Sequence, residues 1–125
     1  GAAGGTAFGL ATTWGARLAA GSRFVADLAG LPAQLAWADL LITGEGRLDE
    51  QSWTGKVVGH AVAEAVRAGT AVALAVGARA TTPPDHVAAC VSLIDLVGDG
   101  ALAMLEPARW LTEAGRALAR DLPGR

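Results

Sequence analysis

Apolar and polar positions divide this chain into two kinds of segment. Three short runs are almost continuously apolar, which is typical of strands buried on both faces of a parallel sheet. They are residues 39–43, 71–77 and 90–97. Longer stretches with apolar residues at helical spacing lie between them. This order predicts an α/β fold, in which a parallel sheet carries helices on both faces.

The clearest predicted helix covers residues 55–69 and ends at Gly69. One face carries an apolar stripe made of Val58, Ala61, Val62, Ala65 and Val66. The opposite, solvated face carries His60, Glu64 and Arg67. A last helix is predicted to begin at Pro107, with Trp110, Leu111, Ala114, Ala117 and Leu118 directed inward.

Three further helices are predicted before the first strand. The first runs from the glycines at 1–5 to Gly21, and its inner face carries Phe8, Ala11, Thr12, Gly15 and Leu18. Ser22 is a candidate N-cap for the second helix, whose apolar face carries Phe24, Val25 and Leu28. A short third helix has Pro32 in its first turn. Between the second and third strands, residues 81–89 are predicted as a loop that leads into a short helix.

Composition narrows the class of protein. The chain has 125 residues, of which 52% are hydrophobic and 18% charged, and this argues against disorder. The net charge of −2 comes without a basic stripe, so nucleic acid is not an expected partner. No apolar run approaches the ~20 residues of a membrane span. The single cysteine, Cys90, is predicted to be a buried thiol, and a reducing, cytoplasmic setting fits it.

Two features lead us to expect that residues 1–125 are part of a larger domain, with no second domain in this chain. The sequence opens on GAAGG, which reads as an interior segment, and three strands make a thin sheet. We therefore expect an apolar edge or face to be open.

Among the four tryptophans, Trp14, Trp37 and Trp110 are predicted to lie in the core, and Trp53 to pack on a ligand or a neighbouring domain.

The loop after the first strand is dense in glycine and carboxylate. Gly44 and Gly46 allow positive φ and close backbone approach. Glu45 and Asp49 are oxygen ligands of the type that holds Mg²⁺. Lys56, the only lysine, is predicted just inside the next helix, where a bound anion would balance its charge. The alternative is a solvated loop with Lys56 on the surface.

Other candidates are weaker. GAAGG places Gly4 and Gly5 before a helix, where free N–H groups bind anions, but paired glycines also serve close packing. The loop is not a P-loop, because Glu50 and Val57 stand where that pattern needs Gly and Ser or Thr. His60 and His86 are interpreted as surface residues.

GAAGG running into a helix, followed by ADLLITGEGRLDEQSWTGK, resembles the type 1 glycerate kinase family. The family motif TGEGxxDxQSxxGK is present without insertion as Thr43, Gly44, Glu45, Gly46, Asp49, Gln51, Ser52, Gly55 and Lys56. The resemblance implies ATP-dependent phosphorylation of D-glycerate with Mg²⁺. It also implies a larger two-domain enzyme whose main domain is flavodoxin-like, so this chain would be its C-terminal part.

The resemblance also implies roles for the motif residues. Glu45 and Asp49 would orient Mg²⁺ or the glycerate hydroxyl, and either would serve as base. Lys56 would contact a phosphate or the glycerate carboxylate. Gly4, Gly5, Gly44 and Gly46 would supply N–H groups to the substrate or phosphate, and Thr43, Gln51, Ser52 and Gly55 would complete that site.

The chain also departs from the family pattern. Motifs of the APDSxK and DGGEGT type, which open the family's sequences, do not occur in it. Residues 57–60 and the pair Ala78 and Arg79 differ from the usual residues. We therefore expect this chain to be inactive without the N-terminal part of the same enzyme. The alternative is a non-catalytic remnant or interaction module that retains the kinase fold.

Overall fold

A computed structural model describes residues 2–122. The helices are α1 (Thr6–Trp14), α2 (Gly21–Leu28), α3 (Leu31–Leu35), α4 (Val57–Ala68), α5 (Leu93–Val97), α6 (Gly100–Leu105) and α7 (Pro107–Asp121). The strands are β1 (Leu40–Thr43), β2 (Arg47–Leu48), β3 (Ala71–Val76), β4 (Ala78–Arg79) and β5 (Val87–Ser92). Ala2–Gly5 and Glu50–Trp53 form 3-10 turns.

The main sheet has three parallel strands in the order β1-β3-β5. Leu41 lies opposite Val72, and Leu74 lies opposite Cys90. A second, two-stranded parallel sheet pairs β2 with β4 immediately beyond the ends of β1 and β3. The predicted α/β class, with a parallel sheet and helices around it, is confirmed.

The core has two layers because successive side chains of β3 point to opposite faces. One face carries Val72, Leu74 and Val76, which pack with the α4 stripe that Val58, Val62 and Ala65 form. The other face carries Ala73, which packs against α7 through Ala114, Ala117 and Leu118. Helices therefore cover both faces of the sheet, as the sequence predicts.

Helix α4 follows its prediction on the inner face only. Val58, Ala61, Val62 and Ala65 are buried, Val66 is exposed, and Gly69 ends the helix at φ 74°. The prediction of a solvated outer face is wrong for His60 and Glu64, whose side chains are only 18% and 16% exposed. Packing of α2 against α4 covers that side.

The segment before α3 differs most from its prediction. Helix α1 ends at Gly15, with φ 65°, rather than at Gly21, and buries none of its residues. Gly21 instead begins α2, whose N-cap is Ala20, so the prediction of Ser22 as N-cap is wrong.

Several predicted core positions are also wrong. Trp14 and Trp37 are 79% and 78% exposed. Trp110 and Trp53 are half-buried, each packed against one of the two core layers. Leu111 is 52% exposed, so it does not belong to the inner face of α7.

The third strand lies earlier in the chain than predicted. It covers Val87–Ser92, and residues 93–97 form α5 instead of continuing the strand. The Ser92 side chain ends the strand, because its hydroxyl accepts a hydrogen bond from Asp95 N (3.3 Å) and caps the helix. Cys90 is half-buried in this strand, and burial raises the pKa of its thiol.

The sheet leaves an apolar edge open, as its small size leads us to expect. Strand β1 lies at the edge, and its residue Ile42 is 58% exposed. Other large apolar side chains are also exposed, among them Phe8, Phe24, Leu28, Met104 and Leu105. Within the described part of the chain, no helix combines the length and apolar character that crossing a membrane requires.

Candidate active site

The loop that follows β1 is bound to the end of β3. Gly77 N donates a hydrogen bond to Glu45 O (3.0 Å), and Ala78 N donates one to Gly46 O (2.9 Å). These bonds join the two strand ends at the carboxyl edge of the sheet, where ligands bind in open α/β folds. Glu45 is therefore held by main-chain bonds on a rigid support.

Two glycines make this close approach possible. A Cβ atom at Gly44 would lie 1.8 Å from Ala75 O, and one at Gly77 would lie 2.4 Å from Gly46 O. Neither contact is tolerable, so both positions need glycine. Gly46 has open space around it, and positive φ occurs at Gly55 (79°) rather than at Gly44 or Gly46.

The next part of the loop is a capped turn. Asp49 Oδ1 accepts a hydrogen bond from Gln51 N (3.0 Å), and Asp49 N donates one to Ser52 Oγ (3.0 Å). This reciprocal arrangement is a capping box at the start of the 3-10 turn Glu50–Trp53. Ser52 is fully buried, whereas Gln51 is exposed.

Lys56 connects the two carboxylates of the loop. It is the N-cap of α4, and its Nζ lies 3.3 Å from Glu45 Oε2 and 3.3 Å from Asp49 Oδ1. The charge of Lys56 is thus balanced by two carboxylates of the same chain, so Lys56 is not a free surface lysine. Two carboxylates and one ammonium leave this group with a net negative charge.

The pKa values follow from this geometry. Partial burial by itself would raise the pKa of Asp49, but the hydrogen bond and charge of Lys56 and the N–H donors of Gln51 and Ser52 outweigh it and lower the pKa. Desolvation would lower the pKa of Lys56, yet its bonds to Glu45 and Asp49 raise it. Both groups are therefore held in their charged forms.

Glu45 has one oxygen without a partner. Its side chain is 17% exposed, and Oε1 is buried with no hydrogen-bond donor. An unsatisfied buried carboxylate oxygen is costly and uncommon, so Oε1 is open to a donor or a cation that a ligand would supply.

Two open hollows meet at this loop. One, of about 490 Å³, lies between Thr43, Gly44, Glu45 and Gly77 and the helices beyond them. The other, of about 370 Å³, lies between Glu45, Lys56 and Ser22. Ser22 enters the site from α2, a position the sequence reasoning missed because nothing in the sequence places α2 against the loop.

The other residues predicted for the site differ in how they relate to the group formed by Glu45, Asp49 and Lys56. Thr43 ends β1 and lines the first hollow, and Gly55 lines the second. The turn with Gly4 and Gly5 stands apart, because no hydrogen bond within residues 2–122 joins it to the loop.

The sequence reasoning missed Gly59. A Cβ atom there would lie 2.5 Å from Ser52 O, so only glycine lets α4 approach the turn Glu50–Trp53.

The residues present fit a magnesium ion that arrives with a ligand. No group of three His, Cys, Asp or Glu side chains in the described part of the chain could hold a metal by itself. Mg²⁺, however, is commonly bound through one or two carboxylates plus substrate phosphates. Glu45 and Asp49 provide two carboxylates, and Glu45 Oε1 has no competing donor.

Comparison with known proteins gives a family match along almost the whole chain. The model of the glycerate kinase family matches residues 1–123. Uncharacterized proteins of Mycobacterium bovis and Mycobacterium tuberculosis are each 49% identical over 67 residues, which are 54% of this chain and 17% of theirs. An uncharacterized protein of Synechocystis is 46% identical over 59 residues, 47% of this chain and 16% of its own.

A solved structure agrees with this match. The crystal structure of a "putative glycerate kinase 2" from Salmonella typhimurium LT2 superposes with a TM-score of 0.56 at 34% sequence identity. The superposition covers 94% of this chain and 33% of the Salmonella chain. This chain thus spans about a third of that protein and about a sixth of the curated relatives it matches.

Proposed function

The chain belongs to the glycerate kinase family, and from this premise we propose that it forms part of an enzyme that phosphorylates D-glycerate with ATP. The observation that carries the proposal is the group formed by Glu45, Asp49 and Lys56. It lies on the uninterrupted motif loop, at the carboxyl edge of a parallel sheet and beside two open hollows. Phosphoryl transfer needs such a set of positioned charges more than it needs a covalent catalyst.

The proposed reaction is attack of a glycerate hydroxyl on the terminal phosphorus of ATP. The new O–P bond forms as the bond to the ADP oxygen breaks, and the hydroxyl proton passes to a carboxylate of the loop. Lys56 would hold a phosphate or the glycerate carboxylate through its ammonium group. Backbone N–H groups near Gly44 and Gly46 would hold further oxygens of the ligand.

We propose Mg²⁺ as the cation that accompanies ATP, held by Glu45 and Asp49 together with phosphate oxygens. When bound, it would neutralise charge on the transferred phosphoryl group. The net negative charge of the group formed by Glu45, Asp49 and Lys56 supports this proposal, because that group repels a phosphate unless a cation comes with it. Lys56 would keep Asp49 ionised for this purpose.

We further propose that the complete enzyme includes a longer N-terminal part that closes the site. The chain spans only a fraction of the length of its relatives, and the edge of β1 is open. Exposed apolar side chains such as Ile42 are the kind of surface that a further part of the same protein would cover.

A coupled assay of the full-length protein tests the proposal. ADP release should require D-glycerate, ATP and Mg²⁺ together, and Lys56→Ala should reduce it strongly. Mass spectrometry should show one phosphoryl group added to glycerate. A folded full-length protein that shows no turnover with D-glycerate would favour the alternative, a non-catalytic module that retains the kinase fold.

A further inference from the structure

We propose that the nucleoside of ATP binds in a third hollow, which we call the α6 hollow. It has a volume of about 610 Å³ and lies between the strand ends at Gly46 and Gly77 and the helices α5 and α6. The phosphates of ATP would extend from there toward Glu45. This inference rests on the proposed phosphoryl transfer and deepens it, because it gives a place to the base and the ribose.

The lining of the α6 hollow is apolar. It includes Ala78 beside the strand ends, Ile94 of α5, and Ala101 and Met104 of α6. None of the described residues that line it has a charged side chain. Its volume falls within the roughly 300–1,000 Å³ that is typical of small-molecule sites, whose walls are mostly apolar. Met104 is 81% exposed, so its apolar surface is available to a ligand.

The main-chain groups at the strand ends already have hydrogen-bond partners. Gly46 O accepts a hydrogen bond from Ala78 N (2.9 Å), and Gly77 N donates one to Glu45 O (3.0 Å). Gly77 O accepts a further hydrogen bond from Ile94 N (3.0 Å). This side of the α6 hollow therefore offers few free donors to a phosphate or a carboxylate.

The start of α6 is also capped within the chain. Asp99 Oδ1 accepts hydrogen bonds from Ala101 N (2.7 Å) and Leu102 N (3.2 Å). These N–H groups would otherwise be free in the first turn of the helix and would attract an anion. Because the Asp99 carboxylate already occupies them, the α6 hollow suits an uncharged part of a ligand.

Of the two ligands in the proposed reaction, only ATP has a large part that suits this lining. Glycerate is small and anionic, and each of its polar groups needs a partner when water is removed. A purine base instead has a broad, weakly polar face that apolar side chains can cover. The sulfur of a methionine such as Met104 makes favourable contacts with aromatic rings. The base, and not glycerate, therefore matches the α6 hollow.

The α6 hollow adjoins the hollow beside Glu45. Gly46, Gly77 and Leu93 line both of them. A nucleotide with its base in the α6 hollow can therefore place its phosphates at the carboxyl edge of the sheet, beside the loop carboxylates. The hollow between Ser22 and Lys56 then stays available for glycerate on the other side of Glu45.

The alternative occupant is the further part of the same enzyme, which could also cover Met104. The α6 hollow is built mainly on residues that follow β3 and β5, and no residue of β1 lines it. The open edge of the sheet, where we propose that the further part packs, belongs to β1. This separation favours a ligand as the occupant.

Neighbouring residues of α6 offer matched controls. Leu105 is 75% exposed and follows Met104 directly, but it does not line the α6 hollow. Leu102 follows Ala101 in the same way and also lies outside the lining. Met104→Asp places a charge in the hollow and Ala101→Phe fills it, whereas Leu105→Asp and Leu102→Phe make comparable changes beside it.

The experiment measures dissociation constants by calorimetry in the full-length protein with Mg²⁺, for ADP and for tripolyphosphate, which lacks a nucleoside. Met104→Asp and Ala101→Phe should raise the Kd for ADP by ~10-fold or more and leave the Kd for tripolyphosphate unchanged. In steady-state kinetics they should raise KM for ATP but not for D-glycerate. Leu105→Asp and Leu102→Phe should change none of these values. Met104→Ala, which adds no charge, is measured as well in case Met104→Asp does not fold.

Three results would overturn the inference. The first is a wild-type protein that binds no ADP. The second is an unchanged Kd for ADP in the Met104 and Ala101 variants, and a lowered Tm in these variants alone would then assign the hollow to the further part of the enzyme. The third is an equal loss of ADP and tripolyphosphate binding.

The proposed function can fail separately from this inference. A protein that binds ADP through Met104 and Ala101 but does not phosphorylate D-glycerate would retain the nucleoside site and lose the proposed substrate. A protein that phosphorylates D-glycerate while its Met104 and Ala101 variants bind ADP normally would retain the proposed function and place the nucleoside elsewhere.

Discussion

Gly77 donates its backbone N–H to the carbonyl of Glu45 at 3.0 Å, so the end of one strand holds the carboxylate that follows another. The bond forms because neither Gly44 nor Gly77 carries a side chain at the crossing. The position of Glu45 is therefore set by the end of β3 rather than by a flexible loop, which suits the role proposed for it.

We predict that Gly44→Ala destabilises the protein by about 1–3 kcal/mol or more, because a new Cβ would lie 1.8 Å from Ala75 O and force main chain apart. Chemical denaturation measures the change. Gly46→Ala is the matched control, since nothing lies within 4 Å of its Cβ position. Equal losses in the two variants would show that the crossing is not the cause.

We predict that Lys56→Ala lowers kcat/KM by ~10²-fold or more in the full-length enzyme, because it removes a positioned charge from the site. Lys56→Arg should lower kcat/KM nearly as far, because a planar guanidinium does not fit between the two carboxylates as a compact ammonium does. The melting temperature should change little, because Lys56 is more than one third exposed.

Steady-state kinetics and thermal unfolding check this prediction for Lys56. Arg116→Ala is a suitable control, because it breaks an exposed ion pair with Glu113 on α7. Near-normal kinetics in both Lys56 variants would contradict a role for this lysine in catalysis.

Local patterns explain how much of the fold could be predicted. Four of the five predicted stripe positions of α4 and the helix end at Gly69 are correct because burial follows helical spacing there, whereas Val66 is exposed. The prediction of a strand at 90–97 is wrong because a short, mostly apolar run fits either a strand or a helix. The capping signal of Ser92 followed by Asp95 was available to separate the two.

The misplaced tryptophans have a different cause. Trp14 and Trp37 are apolar enough for a core, but their exposure depends on what α1 and the turn after α3 pack against, which no local pattern contains. The candidate site, too, could be predicted only in part from the sequence. The motif identifies Glu45, Asp49 and Lys56, whereas the free oxygen of Glu45 and the enclosed hydroxyl of Ser52 become visible only in three dimensions.

We predict that the free energy of unfolding decreases at acidic pH, and that Asp49 and Glu64 both contribute to this decrease. The folded-state pKa of Asp49 is lowered by Lys56 and N–H donors against the opposing effect of desolvation, and that of Glu64 is lowered chiefly by Arg67. A lowered carboxyl pKa stabilises the protein above the unfolded-state values of 3.8 and 4.5, and this contribution is lost as pH falls through the folded-state pKa.

Asp49→Asn and Glu64→Gln should each flatten the dependence of unfolding free energy on pH below about 5. Urea denaturation at a series of pH values measures the slopes. Asp85→Asn, a substitution of the same kind at an exposed position in the loop before β5, is the control. Unchanged slopes in Asp49→Asn and Glu64→Gln would contradict the pKa shifts.

We predict that the 125-residue chain, purified alone, shows no glycerate-dependent ATP consumption. The expectation follows from the proposal that a further part of the enzyme covers the edge of β1 and closes the site. A coupled ADP assay measures it, with circular dichroism to confirm that the chain is folded. Steady turnover by the folded chain would contradict this prediction.

Large and small side chains alternate along β3, so the two helix layers pack against different surfaces of the sheet. Val72, Leu74 and Val76 face α4, whereas Ala73 faces the alanines of α7, so α7 can lie closer to the sheet. Because the period of a strand is two, deleting one residue at the start of β3 would exchange these faces. Branched side chains of β3 would then face α7 and its alanines would face α4, so the spacing of both helix layers from the sheet would change.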